Sequence, residues 1–307
     1  MDSIKVFAPA SVANVSCGYD IFGLALEELG DEITVTKRSD EKLVIKETIG
    51  ADLPTDPDKN VATVAIASLL KHLGSNQGLD IAIKKTVPPC SGLGSSASSA
   101  SGAVYAVSEL LETGLKKEEL IPFAMDGEFI ASQCLHADNV SPAMLGGFSV
   151  VRSVDPIDVF SISYPEDIVV LIVFPQVEVK TSEAKELLGD TIDLKKGRVQ
   201  WGNVAGLVAG MMNKDWGLIG RSMRDVVAEP LRKKLIPEYD QAKSICMENG
   251  AVGFNISGSG PSMFSFFREK DGAKNMVPKI KAIYDSKSID CIFHVSRINP
   301  KGAEVIQ

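Results

Sequence analysis

The chain has 307 residues and a formal net charge of −8, and 45% of its residues are hydrophobic. A chain of this length can bury one large core or two medium ones, and its negative charge argues against nucleic acid as the partner. No apolar run is long enough to span a membrane, and the N-terminus offers no secretory signal, so we expect a cytoplasmic protein with no membrane contact.

The first half of the chain alternates predicted strands and helices. Asn60 is a possible N-cap of a helix that runs to Leu73, and Gly74 is placed to end that helix. Hydrophobic periodicity predicts the other elements of this half, which are strands over 4–8, 32–36, 79–84 and 147–152 and helices over 97–111 and 117–133.

The second half continues the mixture of strands and helices. An apolar strand over 168–174 opens a second domain, so we predict domains of residues 1–165 and 166–307. Periodicity predicts helices over 195–212 and 237–248 and strands over 252–257, 263–267 and 291–296. The pattern is that of an α+β protein.

A loop rich in glycine and serine, residues 88–97, is the most informative segment. Its sequence, PPCSGLGSSA, leads into a helix rich in serine and alanine. Glycines let backbone N–H groups approach phosphate oxygens, and the unpaired amides of the following helix favour an anion. The loop therefore predicts phosphate binding, with a nucleoside triphosphate as the favoured ligand.

Two better-known phosphate loops fit this segment poorly. A P-loop needs a lysine after its second glycine, and no lysine follows Gly92 or Gly94 before the helix begins. A dinucleotide fingerprint should follow a strand directly, but two prolines at 88–89 interrupt the approach. The acidic residues at the expected distance, Glu118 and Glu119, lie in a predicted helix start and are poorly placed to bind a ribose.

Three segments in order along the chain resemble the motifs of the GHMP small-molecule kinase superfamily, which includes galactokinases, homoserine kinases and mevalonate kinases. They are residues 8–26, 88–97 and 255–264. The first of them, and the run HADNVSPAM at 136–144, resemble the homoserine kinases in particular. The resemblance implies an N-terminal domain with a left-handed βαβ element, a ferredoxin-like C-terminal domain and an active site between the two.

The same resemblance implies a reaction. It is the transfer of a phosphoryl group from ATP, with Mg²⁺, to the side-chain hydroxyl of L-homoserine, which gives O-phospho-L-homoserine on the route to threonine. It also implies a homodimer. Two alternatives stay open, namely a kinase of this superfamily for another small alcohol and a member that binds a ligand without catalysis.

The resemblance assigns residues to ATP and to the metal. Ser96 and Glu128 are the implied Mg²⁺ ligands, which suits an ion that takes one or two protein oxygens and keeps several waters. Taken without the resemblance, Glu128 reads as a solvated helix carboxylate. The implied ATP contacts are Pro89, Ser91, Gly92, Leu93, Gly94, Ser95, Ser96 and Ala97, with Asn60 at the edge of the nucleotide.

Homoserine is a zwitterion, so its site needs a cation for the carboxylate and acceptors for the ammonium group. Arg232 matches the family's carboxylate-binding arginine, and Asp20 is a candidate acceptor for the ammonium group. Lys185 stands where the family often has a second arginine, and it offers a point charge instead of a bidentate fork. The full set of implied substrate contacts is Asn14, Asp20, His136, Asn139, Lys185, Arg232 and Gly258. The ordinary alternatives are a surface cation for Arg232, a solvent-facing side chain for Lys185 and a structural hydrogen bonder for His136. For Asp20, Asn139 and Gly258 the ordinary alternative is a turn residue.

The acceptor hydroxyl poses the main question of mechanism. Relatives such as mevalonate kinase use an aspartate as general base near this place, whereas the homoserine kinase pattern has an asparagine, matched here by Asn139. A loose transition state needs little early deprotonation of the nucleophile. Our hypothesis is that Asn139 orients the hydroxyl and Asp138 supports the loop.

Overall fold

The computed structural model describes residues 1–179 and 181–307, and residues 132, 181 and 182 by their backbone alone. The strands in these ranges are β1 (Ser3–Ala13), β2 (Phe22–Lys37), β3 (Leu43–Ile49), β4 (Leu79–Lys84), β5 (Phe148–Val154), β6 (Ile157–Ile162), β7 (Val169–Pro175), β8 (Gly253–Ile256), β9 (Met263–Phe267), β10 (Cys291–Arg297) and β11 (Glu304–Val305).

Helices cover both sheets. They are α1 (Val61–Leu73), α2 (Ser95–Leu110), α3 (Lys117–Ser132), α4 (Val140–Leu145), α5 (Thr181–Glu186), α6 (Leu194–Met212), α7 (Trp216–Ser222), α8 (Glu229–Arg232), α9 (Tyr239–Glu248) and α10 (Lys270–Ser286). A 3₁₀ turn, Lys233–Leu235, follows α8. No helix within residues 1–179 and 181–307 combines the length and apolar character that a bilayer crossing needs.

The first sheet has the order β11-β1-β2-β4-β3, and β5 and β6 extend it from the start of β2. Its pairs are antiparallel except β3 with β4, which run parallel and are joined through α1 as a βαβ unit. β2 is shared between neighbours, because its first residues pair with β5 and its last residues with β4. The strand bends between these two parts, where its pairing with β1 shifts register between Pro9 and Ser11.

The second sheet has the antiparallel order β10-β7-β9-β8. Numbered within this sheet, the strands lie in the order 4-1-3-2, with helices after the first and third, which is the ferredoxin-like arrangement expected from the sequence. The prediction of an α+β fold is confirmed. The division at residue 165 stays a prediction, although β6 ends the first sheet and β7 opens the second.

Hydrophobic packing joins the two sheets. The inward residues of β7, such as Val170 and Ile172, share one apolar cluster with Phe22 and Leu24 of the first sheet and with Leu207 of α6. The opposite face of β7 packs with α9 and α10 in another cluster. A buried core therefore fixes the position of the second sheet against the first, and the glycine loop lies beside this junction.

Local sequence signals explain which elements were predictable. The Asn60 side chain accepts a hydrogen bond from the Ala62 N–H at 3.0 Å, and Gly74 ends α1 in the left-handed region, as predicted. The predicted loop before residue 147 contains α4 instead, because Pro142 lies in its first turn, where proline is tolerated. α10 was not predicted either, although its buried residues Ala273, Met276, Ile280 and Tyr284 recur at helical spacing; it carries Pro278 in its interior.

Candidate active site

A cavity of about 420 Å³ lies between the glycine loop, α3, and the loops and helices of the second half of the chain. Most residues predicted from the sequence line it: Asn14, Asp20, Asn60, Pro89, Ser91, Gly92, Gly94, Ser95, Ser96, Glu128, His136, Asp138, Asn139, Lys185, Arg232 and Gly258. Leu93 and Ala97 do not line it, because their side chains are buried in the hydrophobic clusters beneath the loop.

Gly94 caps the N-terminus of α2 in the left-handed region, with φ of 63°. A Cβ atom at this position would lie 2.0 Å from Ser11 Oγ and 2.7 Å from Asn139 Oδ1. Only glycine therefore lets the loop pass so close to Asn139. The close approach puts the start of α2, and its unpaired amides, beside the residue expected to hold the acceptor hydroxyl.

Ser96 and Glu128 meet in the cavity, as the metal assignment requires. The Ser96 side chain is hydrogen-bonded to the Glu128 carboxylate, which belongs to α3 and is buried. Burial raises the pKa of Glu128 to about 7, and the contact with Ser96 acts in the opposite direction. The pair is an oxygen-donor set from two elements, which fits a hard cation such as Mg²⁺. Within the described ranges no group of three or more His, Cys, Asp and Glu side chains forms a larger metal site.

A buried ion pair lies beside this helix start and was not predicted. Lys85 Nζ lies 2.5 Å from Asp31 Oδ2 and also donates to the Ser95 carbonyl at 2.6 Å and to Ser99 Oγ at 3.0 Å. Burial lowers the pKa of the Lys85 ammonium group, and Asp31 acts against this shift. The sequence did contain a signal that Lys85 is buried. The inward side chains of β4 alternate as Leu79, Ile81 and Ile83, which places residue 85 on the same buried face.

Asn139 and Asp138 precede α4 and have different surroundings. Asn139 Oδ1 accepts a hydrogen bond from Ser11 Oγ at 2.7 Å, which fixes the amide at the cavity wall. The Asp138 side chain is buried and accepts from the backbone of Asn14. Burial and the Asp20 carboxylate raise the pKa of Asp138 to about 6. Asp138 thus ties the first motif to the loop before α4.

The loop after β1 presents Asn14 and Asp20, both with positive φ. Asn14 Oδ1 accepts from the Asp20 backbone N–H at 2.7 Å, which stabilises the loop and holds the Asp20 side chain at the cavity. His136 Nδ1 lies 3.4 Å from Asp20 Oδ1, and this contact raises the pKa of His136 to about 9. At neutral pH the pair is therefore an imidazolium next to a carboxylate.

Arg232 is buried in α8 and joins several parts of the site. Its Nε donates to the Ala184 carbonyl at 3.1 Å and its Nη1 to the Gly258 carbonyl at 3.0 Å. The guanidinium carbon lies 5.2 Å from the centre of the Tyr19 ring, within range of a cation–π contact. Arg232 is therefore not the free surface cation of the ordinary alternative.

Lys185 lines the same end of the cavity from α5, but its surroundings differ from those of Arg232. It is exposed, and its Nζ contacts the Cys134 thiol. This contact lowers the pKa of Cys134 and raises that of Lys185. The second cation is thus held less firmly than the first.

The C-terminal glycine loop closes over the first one. Ser257 Oγ donates to the Gly92 carbonyl at 2.6 Å, and the Gly258 N–H donates to the Ala13 carbonyl at 3.0 Å. A Cβ atom on Gly92 would lie 2.7 Å from the carbonyl oxygens of Ser257 and Gly260. These contacts place Gly258 at the cavity and connect the two halves of the site directly.

Several known proteins are similar to this chain. Residues 60–147 match the family model described as GHMP kinases N terminal domain, and residues 207–286 match the one described as GHMP kinases C terminal. A homoserine kinase of Chloroherpeton thalassium is 46% identical over 278 residues, which cover 87% of each chain. One of Pyrococcus abyssi is 39% identical over 91% of this chain and 93% of its own. The chain belongs to the homoserine kinase family.

A solved structure extends the match to three dimensions. The crystal structure of homoserine kinase from Cytophaga hutchinsonii superposes with a TM-score of 0.96 at 44% identity, over 100% of this chain and 98% of that one. A mevalonate kinase of L. major, solved with R-mevalonate, has a TM-score of 0.74 at 17% identity over 96% of each chain. The second likeness shows the shared GHMP kinase fold alone, whereas the first agrees with membership of the homoserine kinase family.

Proposed function

We propose that this protein phosphorylates L-homoserine with ATP, giving ADP and O-phospho-L-homoserine for threonine biosynthesis. One observation carries the proposal. A single cavity has a glycine loop and a hydroxyl–carboxylate pair at one end, residues suited to an amino-acid zwitterion at the other, and Asn139 between them. Family membership supports the same reaction.

The nucleotide is proposed to lie along the glycine loop. The backbone N–H groups at the start of α2 would face the phosphates, where the helix dipole favours negative charge. Leu53, Val61 and Ile130 line the cavity near Asn60 and offer an apolar surface for the adenine ring.

Mg²⁺ is proposed to bind at Ser96 and Glu128. Both are oxygen donors, and their mutual hydrogen bond brings them within reach of one ion. Bound there, the metal would neutralise charge on the transferring phosphoryl group. The side chains of the protein would orient the acceptor hydroxyl and exclude water from the site.

The substrate's two charges suggest its orientation. Its carboxylate is proposed to bind Arg232 and Lys185, and its ammonium group to bind Asp20. His136, paired with Asp20, would keep the Asp20 carboxylate turned toward the cavity. The hydroxyl group of the substrate would then face Asn139 and the start of α2.

Asn139 is proposed to orient the hydroxyl without removing its proton. An amide cannot act as a base at neutral pH, and a loose transition state leaves the proton on the nucleophile until late in the transfer. Positioning and charge stabilisation supply the rate enhancement. Asp138 would act on the loop, because its carboxylate is buried and accepts a hydrogen bond from the backbone.

The deciding experiment is Mg²⁺-dependent release of ADP with L-homoserine, beside mevalonate, shikimate, L-serine and no acceptor. Turnover selective for L-homoserine is expected. Turnover with another alcohol would support the assignment as a kinase and refute L-homoserine as its substrate. The absence of turnover with every alcohol, from folded protein, would favour the non-catalytic alternative.

The proposal extends to the setting of the enzyme. A cytoplasmic location is a prediction from the sequence, and a homodimer is a prediction from the family resemblance. Gel filtration with light scattering would measure the second directly, and a monomer at micromolar concentration would refute it.

A further inference from the structure

The glycine loop lacks the charge that a triphosphate calls for. Residues 88–97 contain no lysine or arginine. Backbone amides at a helix start provide only partial positive charge. In a P-loop, the lysine that follows the second glycine reaches the β- and γ-phosphates. Apart from the proposed Mg²⁺, any full positive charge near the phosphates must therefore come from another part of the chain.

Lys85 lies where such a cation would be useful. Its side chain is only 2% exposed, yet it lines the cavity together with Ser95, Ser96 and Glu128. Lysine and arginine also line the described cavity at Lys59, Lys185 and Arg232. Lys185 and Arg232 lie at the end proposed for the substrate, and Lys59, next to Asn60, is largely exposed and pairs with Asp56 at 3.2 Å. Lys85 is thus the lysine next to the start of α2.

Asp31 makes this position possible. It is fully buried, pairs with Lys85 at 2.5 Å, and also accepts from the Thr86 N–H at 3.2 Å and from Ser99 Oγ at 2.9 Å. The described cavity lining includes Lys85 but not Asp31. Lys85 is therefore the member of the ion pair on the cavity side, and Asp31 lies behind it, between β2 and α2.

The strands fix this geometry. β2 and β4 pair in antiparallel register from Lys37 with Leu79 to Glu32 with Lys84. One further step along the same register brings Asp31 opposite Lys85, on the face that is buried under α2. The paired strands β2 and β4 therefore hold Asp31 and Lys85 in place, and the glycine loop does not.

We propose that Lys85 is the phosphate-side cation of this kinase, held by Asp31 and supplied from the strand before the glycine loop. Its three present contacts use the three N–H groups of the ammonium, so it acts on the phosphates mainly through its charge and by fixing Ser95 and Ser99. The proposal rests on the proposed function for the identity of the ligand, a nucleoside triphosphate.

The experiment compares the double variant Lys85→Met with Asp31→Asn against the wild type. Removing both charges avoids leaving one of them buried alone, which would destabilise the fold by itself. Lys84→Met is the matched control, because Lys84 is half-exposed and pairs with Glu32 on the outer face. Thermal melting checks folding, and calorimetry measures the binding of β,γ-imido-ATP and of AMP.

The double variant should bind β,γ-imido-ATP roughly tenfold more weakly, because a charge that acts without a direct hydrogen bond contributes less than a charge-assisted contact, while AMP affinity stays the same. Lys84→Met should bind both ligands like the wild type. Equal affinity of the double variant and the wild type for the triphosphate would overturn the proposal, as would an equal loss for AMP. If the double variant does not fold, Lys85→Gln combined with Asp31→Asn, which removes both charges but keeps polar partners for Ser95 and Ser99, is measured instead and the same outcomes decide.

Turnover of L-homoserine by the wild type is recorded in the same series. Its absence would count against the proposed function, while the binding comparison would still decide the role of Lys85. Normal wild-type turnover combined with unchanged triphosphate binding in the double variant would sink the inference about Lys85 alone.

Discussion

At the scale of single residues, the central feature is the contrast between neighbours in the loop before α4. Both line the cavity, but Asn139 is fixed by Ser11, whereas Asp138 is buried and accepts a hydrogen bond from the backbone of Asn14. The aspartate has the more reactive side chain, but its contacts are those of a support. A carboxylate near a reaction centre acts as a general base only when it lies within hydrogen-bond reach of the proton that it removes, here that of the acceptor hydroxyl.

Asp138→Asn should therefore lower kcat by less than about tenfold, because the amide can still accept the backbone hydrogen bond. Asn139→Ala should lower kcat roughly 100-fold or more, the range for losing one positioned polar group. Steady-state kinetics and thermal melting of both variants measure this. A fall of several orders of magnitude in kcat for folded Asp138→Asn would make Asp138 a base.

Lys185 is the residue in which this chain departs from the family pattern. Lys185→Arg should lower KM for L-homoserine severalfold without changing KM for ATP, because arginine binds a carboxylate through two parallel hydrogen bonds. Lys195→Arg, on the exposed start of α6, serves as the control. An unchanged KM would mean that Lys185 points away from the substrate.

His136 gives the protein a pH-dependent contribution to stability. Asp20 raises the folded-state pKa of His136 from 6.5 to about 9. Because the folded-state value is the higher one, the stabilisation is complete below pH 6.5 and is lost as the pH rises through 9. The shift corresponds to at most about 3 kcal/mol.

Urea unfolding at pH 6 and pH 10 measures this effect. The wild type should lose more free energy of unfolding over that interval than His136→Gln, by up to about 3 kcal/mol. His72→Gln, at an exposed position in α1, should behave like the wild type. Equal pH dependence in His136→Gln would show that the contact with Asp20 does not stabilise the fold.

At the scale of elements, much of the fold followed from simple patterns. The cap at Asn60, the stop at Gly74 and the apolar periods of α2 and β7 are local signals, and they predicted elements whose ends agree within a few residues. The full extent of β2 was not predictable in this way. Its bend interrupts the alternation, and only tertiary pairing with β5 and β4 makes one long strand of it.

The site residues likewise fall into a group that local sequence patterns predict and a group that they do not. Motif residues such as Ser96 and Arg232 were predicted because short sequence blocks carry them. Asp31, Ser11 and Lys85 were missed, because each becomes important through a partner distant in sequence. For Lys85 the inward alternation of β4 was a usable signal, but a charged residue at the end of a strand usually reads as solvent-exposed.

The close approach of the glycine loop to Asn139 can be tested at Gly94. Gly94→Ala and Gly74→Ala share the cost of a left-handed alanine, roughly 1–2 kcal/mol. They differ in surroundings, since a Cβ atom at Gly74 meets nothing within 4 Å and one at Gly94 collides with Ser11 and Asn139. In thermal melting, Gly94→Ala should lose as much stability as Gly74→Ala or slightly more. In kinetic assays, only Gly94→Ala should lose most of its kcat. Full activity in Gly94→Ala would show that the loop can move away from Asn139.

At the scale of the whole molecule, the site is made by both halves of the chain. Arg232 reaches Ala184 and Gly258 and lies over Tyr19 of the first half. The apolar cluster between the sheets supports this arrangement from below. Arg232 therefore combines a structural contact with the proposed substrate contact.

Arg232→Lys should raise KM for L-homoserine roughly 10- to 100-fold, because a single ammonium cannot reproduce the fork or the bonds to both carbonyls. KM for ATP should change little. Arg221→Lys, at an exposed position in α7, is the control. A matching rise in KM for ATP would indicate that the substitution disturbs the junction as a whole.

The hydrogen bonds from Ser257 to Gly92 and from Gly258 to Ala13 are contacts of the chain with itself, and they cross the junction between its two halves. The groups proposed to bind nucleotide and amino acid are therefore connected by the protein itself. The binding energy of each substrate can then be used to orient the reacting groups.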